Sequence, residues 1–121
     1  MASLFEATAG KLIGPTTGGT VTQATSKATG VTLNTASGQI TMDDAALAAA
    51  AEVSFTVTNS EIAATDVVLV NHGSAGTAGA YLVQANTIAA GSFAITVANL
   101  SAGSLGEAIV LNFVALKGSS S

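Results

Sequence analysis

An acid, a base and a hydroxyl lie close together in the sequence as Asp66, His72 and Ser74. Acyl-transfer chemistry uses such a set when the base touches the nucleophile and the acid orients the base. His72 is the only histidine, and it stands in the glycine-rich stretch Asn71–Gly79. That stretch lacks a nucleophile elbow, since Gly73-Ser74-Ala75-Gly76 is too short for the strained strand-to-helix turn. Asp43-Asp44 is the one adjacent acidic pair, but a calcium loop takes about six to eight oxygens in a defined arrangement. Glycosidic acid–base work needs two carboxyls at a set separation, and Glu52, Glu61, Asp66 and Glu107 are scattered. Turn and cap roles account for all of these. Gly73–Gly79 superficially resembles a phosphate loop without its lysine or following helix. The expectation is a protein that is not an enzyme, with no catalytic residue, no cofactor and no metal ligand.

The elements around these residues are strands. In Val53-Ser54-Phe55-Thr56-Val57-Thr58-Asn59, apolar residues alternate with hydroxyl residues, which predicts a half-buried strand. β-branched threonine suits its wet face. The run Asp66–Asn71 is apolar on both faces and is expected to be its partner, covered on both sides in the middle of the fold. Shorter alternating runs occur at Thr20–Gln23, Val31–Asn34 and Gln39–Met42, separated by Gly, Ser and Asn turns. Ala80–Ile88, Ser92–Asn99 and Ala108–Leu116 are three more. The alanine run after Asp43-Asp44 favours helix by propensity but is too short and lacks an apolar stripe, so at most one turn is expected there. The sum is an all-β antiparallel β-sandwich of about eight strands, with jelly-roll order as one arrangement. Residues 1–19, with isolated Phe5, Leu12 and Ile13 and the breaker cluster Gly14–Gly19, are expected to form an extended N-terminal arm. Residues 20–117 form the sandwich and 118–121 a polar tail.

Composition narrows the function classes. Charged residues make up 8% of the 121 positions, where about a quarter is ordinary. Small polar residues must therefore wet the surface, or another chain must cover it. Three lysines against seven acids leave a net charge of −4, so no basic stripe exists for nucleic acid and no basic helix for a membrane surface. The absence of cysteine excludes disulfides and thiolate metal sites. Ala108–Leu116 is apolar on both faces, which points to an oligomer contact through Ile109, Leu111 and Phe113.

The strings themselves resemble a known kind of module. Gly19–Asn34, Gly38–Met42, Val53–Asn59, Ala64–Val68 and Leu111–Phe113 are similar to a β-rich module of tailed-bacteriophage virion proteins. The resemblance runs from Gly19 to about Lys117. It implies a virion structural protein, and the short segment before the module suits a capsid decoration or cement protein that binds and stabilises the head shell. A tail-fibre or tail-spike module that binds a receptor or glycan is the alternative. The expected partners are the major capsid protein and copies of the chain in a homotrimer, matching the threefold positions of capsid lattices. The expected location is the capsid surface, after synthesis in the host cytoplasm. Phe5, Leu12 and Ile13 of the arm are the expected shell-binding anchors.

Overall fold

A computed structural model describes residues 18–118 of the protein. The arm residues Phe5, Leu12 and Ile13 lie outside the described residues. The described chain is all-β, with eight strands and no helix: β1 (Gly19–Thr22), β2 (Val31–Thr32), β3 (Ser37–Thr41), β4 (Glu52–Thr58), β5 (Val67–Ser74), β6 (Tyr81–Ala89), β7 (Ser92–Asn99) and β8 (Val110–Leu116). They form two four-stranded sheets, ordered β1-β3-β8-β5 and β2-β4-β7-β6. The arrangement is that of a β-sandwich.

The strands follow from residue alternation. In β4 the side chains of Phe55 and Val57 are buried, while Ser54, Thr56 and Thr58 face solvent. β7 buries Phe93, Ile95, Val97 and Asn99 in the same rhythm. The inner faces of the two sheets meet in one core, where Ile40, Leu111 and Phe113 of one sheet oppose Phe55, Val57, Phe93 and Ile95 of the other. The Phe93 and Phe113 rings lie 5.5 Å apart, tilted by 56°, and join the sheets at the centre.

The pairing differs from expectation in three respects. First, the sheets are mixed. β1 runs parallel to β3 and β2 parallel to β4, while the remaining pairs are antiparallel. Each early strand returns to its own sheet only after one strand in the opposite sheet, and so arrives in the same direction. A jelly roll is built from antiparallel Greek keys, and these sheets do not follow that pattern. Second, β4 and β5 are not partners. β4 is flanked by β2 and β7, whereas β5 is the edge of the other sheet and pairs only with β8. Its outward residues Val67 and Leu69 are each 53% exposed, so its double apolar face is not covered by the described residues. Third, Ile109, Leu111 and Phe113 are buried in the chain's own core and are not available to a partner. β8 is apolar on both faces because it is an interior strand: its inner side chains fill the core, and its outer Val110, Val114 and Leu116 are half-buried between β3 and β5. The alanine run contains no helix. Leu47 instead makes a two-way backbone bridge to Leu105, at 2.9 and 3.0 Å.

Buried polar side chains tie the strand ends together. Asn99, at the end of β7, donates to the carbonyls of Leu47 (2.8 Å) and Gly103 (2.9 Å), and its Oδ1 accepts from the Ser101 amide and hydroxyl. Asn59 does the same kind of work at the end of β4, donating to Thr35 O and accepting from Glu61 N–H. Gln23 donates to the carbonyls of Lys27 and Thr29 and accepts from Asp43 N–H. Lys27 is only 4% exposed, and its ammonium donates to the carbonyls of Asp43 and Glu107. Every buried side-chain N or O among the described residues has a partner, as buried polar groups require.

Candidate functional site

The residues that could do chemistry separate in the fold. His72 lies on β5 rather than in a free loop, just before a bulge between His72 and Ser74. Its Nε2 lies 3.0 Å from the Ser74 carbonyl and 2.5 Å from the Ala75 carbonyl, so it faces the backbone of Ser74 and not the hydroxyl. Asp66 stands just before the opposite end of the same strand, about 20 Å away at the strand rise. There it is committed to Lys117 Nζ at 2.8 Å and to the amides of Ala63 and Gly118. Asp66, His72 and Ser74 therefore do not form a nucleophile–base–acid relay. The Asp43 carboxylate accepts from the Ala45 amide at 2.8 Å, a turn role.

Asp66 yields a pH prediction. Burial alone would raise its pKa, but the bonds from Lys117, Ala63 and Gly118 outweigh burial and hold it below the ordinary 3.8. A carboxylate lowered in the folded state stabilises it above the unfolded pKa and loses that contribution as pH falls through the folded value. Thermal melts are expected to drop in midpoint below about pH 4, with Asp66→Asn flattening that drop. An identical acid profile in the variant would place the acid sensitivity elsewhere.

The turn after β5 brings together a group that no spacing in the sequence announces. Ala75, Gly76 and Gly79 have φ of 64°, 73° and 81°, a left-handed backbone that glycine tolerates best. Gly73 is needed for another reason: a Cβ there would lie 2.3 Å from Asn112 Nδ2. The turn places Thr77 so that its amide (2.9 Å) and hydroxyl (2.8 Å) donate to the Glu107 carboxylate, which also accepts from Tyr81 OH at 2.7 Å. Those bonds, led by Tyr81, hold Glu107 below the usual carboxylate range. Burial first, and then the Glu107 carboxylate, push the Tyr81 phenol up. The His72 ring meets Tyr81 edge-on at 5.4 Å, beside a groove of about 230 Å³.

Two apolar surfaces stand out instead. The outer face of the β1-β3-β8-β5 sheet carries Val67 and Leu69, with Val114 and Leu116 opposite them in register. A groove of about 340 Å³ is lined by Leu69, Val70, Asn71, Asn112, Phe113 and Val114. It shares Asn112 and Phe113 with a second groove, of about 480 Å³, that continues past Gln39 and Ser37 to Thr20 and Gly18. Neither groove has a charged lining residue. On the other sheet, Leu82 (58% exposed) and Leu100 (61% exposed) form a second patch. Leu82 pairs with Ala98 and the Leu100 amide bonds to Ala80 O, so alternation puts both leucines diagonally on the outer face. The sequence signal for the first surface was the double apolar face of Val67–Val70, read above as covered within the chain. Leu82 and Leu100 gave no signal, because isolated leucines at strand starts and ends look like core. No family model, curated protein or solved structure matches this chain.

Proposed function

We propose that this chain is a structural protein of a tailed-bacteriophage virion, a decoration or cement protein that assembles as a homotrimer and binds the major capsid protein at the shell surface. The observation that carries the proposal is the pair of exposed apolar surfaces on the outer faces of the two sheets of a sandwich with few charges, one an uncharged groove along β5 and β8 and the other the Leu82–Leu100 pair. Monomers seldom expose large contiguous apolar patches without a partner. A protein that contacts both its own copies and a shell needs two such surfaces. The resemblance of Gly19–Lys117 to phage virion modules supports the same reading. In it, Leu82 and Leu100 pack around the threefold axis in place of the buried Ile109, Leu111 and Phe113. The arm carries Phe5, Leu12 and Ile13 towards the shell.

Two measurements test this. Sedimentation at micromolar concentration is expected to give a particle three times the mass of the 11.7 kDa chain, and Leu82→Lys with Leu100→Lys is expected to give a folded monomer. A wild-type chain that sediments as a monomer removes the trimer. Deletion of residues 2–17 is expected to abolish loading onto undecorated heads while leaving the trimer intact. Loading equal to that of the full chain would reject the arm as the shell contact.

One observation favours the alternative, a receptor- or glycan-binding tail module: the groove beside His72 and Tyr81, next to the Thr77–Glu107 carboxylate and hydroxyl cluster. A glycan array probed with the intact protein decides between the readings, since a decoration protein is expected to show no saturable sugar signal.

A further inference from the structure

Asparagine is a poor strand former, and most asparagines of this fold are held by hydrogen bonds. Asn34, Asn59 and Asn99 bond at strand ends, and Asn86 donates to Thr96 Oγ1 at 3.0 Å. The other two of the six, Asn71 and Asn112, bond to no other described residue. Both are exposed, both sit inside strands, and they pair in register across β5 and β8. The row continues in register to Gln39 of β3 and Thr20 of β1, which are also exposed. The Gln39 carboxamide likewise bonds to no other described residue. Four uncharged polar side chains thus cross the whole β1-β3-β8-β5 sheet in one line on its outer face. Gly73 gives the Asn112 carboxamide room to lie over β5, where a Cβ would collide with it.

The two grooves of this face meet on that line. The first has Asn71 and Asn112 on one side and the register pair Leu69 and Val114 on the other, and the second carries the line past Gln39 to Thr20. A molecule lying there meets carboxamides along one side and aliphatic side chains along the other. A carboxamide holds an N–H donor beside a C=O acceptor, the same two groups that a peptide unit holds. Each can therefore exchange two hydrogen bonds with the main chain of an extended segment. No lining residue of either groove is charged, so a charge brought in would lose water and gain no counter-charge. The size of the face also limits the occupant. At about 4.8 Å between strands the line is about 14 Å long, and β8 runs about 23 Å along its seven residues. The face is thus roughly 300 Å² in outline, well short of the about 800 Å² that each partner of a stable interface buries. It suits one extended segment better than the body of a second copy.

We propose that an extended, uncharged segment of the shell protein lies along the line from Thr20 to Asn71, with its peptide groups on Gln39, Asn112 and Asn71 and an aliphatic side chain between Val114 and Leu69. The proposal rests on the decoration reading above and specifies the chemistry of its shell contact. This face selects extended backbone and excludes charge. The Leu82–Leu100 pair on the other sheet stays free for the contact between copies.

The test is loading of the full-length protein onto undecorated heads. Asn71→Asp with Asn112→Asp keeps the size of both side chains and puts charge on the line. Neither asparagine bonds to another described residue, so the melting midpoint and sedimentation of this variant are expected to match those of the wild type. Its affinity for heads is expected to fall about a hundredfold, about tenfold for each carboxamide. Ser104→Asp, which adds a charge in the exposed β7–β8 connection, is expected to load like the wild type. Equal loading of the double variant and the wild type would overturn this proposal and leave the decoration reading standing. Heads that take up neither protein would overturn both. A second readout keeps all three carboxamides. The chain has no native cysteine, so Thr20→Cys can be labelled with benzophenone maleimide at the end of the line and irradiated on loaded heads. A crosslink to an uncharged segment of the shell protein is expected. A crosslink into a charged segment would overturn the proposal, and one between two copies of this chain would overturn it and make the second copy the occupant.

Discussion

Phe93→Ala is expected to lower the free energy of unfolding by about 3–5 kcal/mol, the usual cost of deleting a buried ring. Phe93 is 1% exposed and is the largest fully buried side chain among the described residues. It projects from β7 of one sheet onto Phe113 of β8 in the other. The surrounding core is mostly Val, Ile and Ala, with only four phenylalanines in the chain. Small β-branched neighbours have stiff side chains and cannot swing into the space, so the cavity should stay largely open. Domains of this size are stable by roughly 5–15 kcal/mol, and the variant should sit near the edge of folding at 37 °C. Urea titration of the wild type, Phe93→Leu and Phe93→Ala is the measurement. Phe93→Leu is expected to fall between the other two, and a loss below about 1 kcal/mol for the alanine variant would mean that the two sheets do not meet through this ring.

The second large effect is expected at Lys27, where Lys27→Met should cost about 3 kcal/mol near neutral pH. Methionine keeps the length and apolar stem of lysine. It cannot donate to the carbonyls of Asp43 and Glu107, and a buried acceptor left without a partner costs about 1–3 kcal/mol. Those two carbonyls belong to the β3–β4 and β7–β8 connections, so one ammonium pins two loops to the β1–β2 turn. The same site carries a pH signature. Desolvation lowers the Lys27 pKa below the ordinary 10.5, with the charges of Asp43, Asp44 and Glu107 opposing it only in part. Between the lowered folded value and the unfolded one, the unfolded chain binds more protons, so this group makes stability rise with pH in that alkaline window. The rise should be missing from Lys27→Met, and parallel alkaline profiles for the two proteins would contradict the assignment. Lys27→Arg is expected to be nearly as damaging, because the broad guanidinium does not fit a pocket shaped for a point donor.

What the sequence determined by itself is the set of strands and the face each one turns inward. Period-two alternation at Val53–Thr58 and Phe93–Asn99 specified both strands and their buried residues, because a pleated strand places successive side chains on opposite faces. The joints at Ala89-Ala90-Gly91 and Leu100–Gly106 were likewise legible from their small and turn-forming residues. Only the tertiary structure decided which strand lies beside which. The backbone ladder that joins strands uses the same N–H and C=O groups at every residue, so alternation encodes a face and not a neighbour. For that reason β5 looked central and proved to be an edge, β8 looked like an interface and proved to be interior, and the parallel pairs β1–β3 and β2–β4 were invisible. The candidate surfaces share this origin. Leu69 and Leu82 are exposed because of where their strands fall in the two sheets. Lys27 makes the same point from the opposite side. A lone lysine in a polar turn reads as solvated, and it is buried only because three connections close over it and offer two carbonyls that a charge can use.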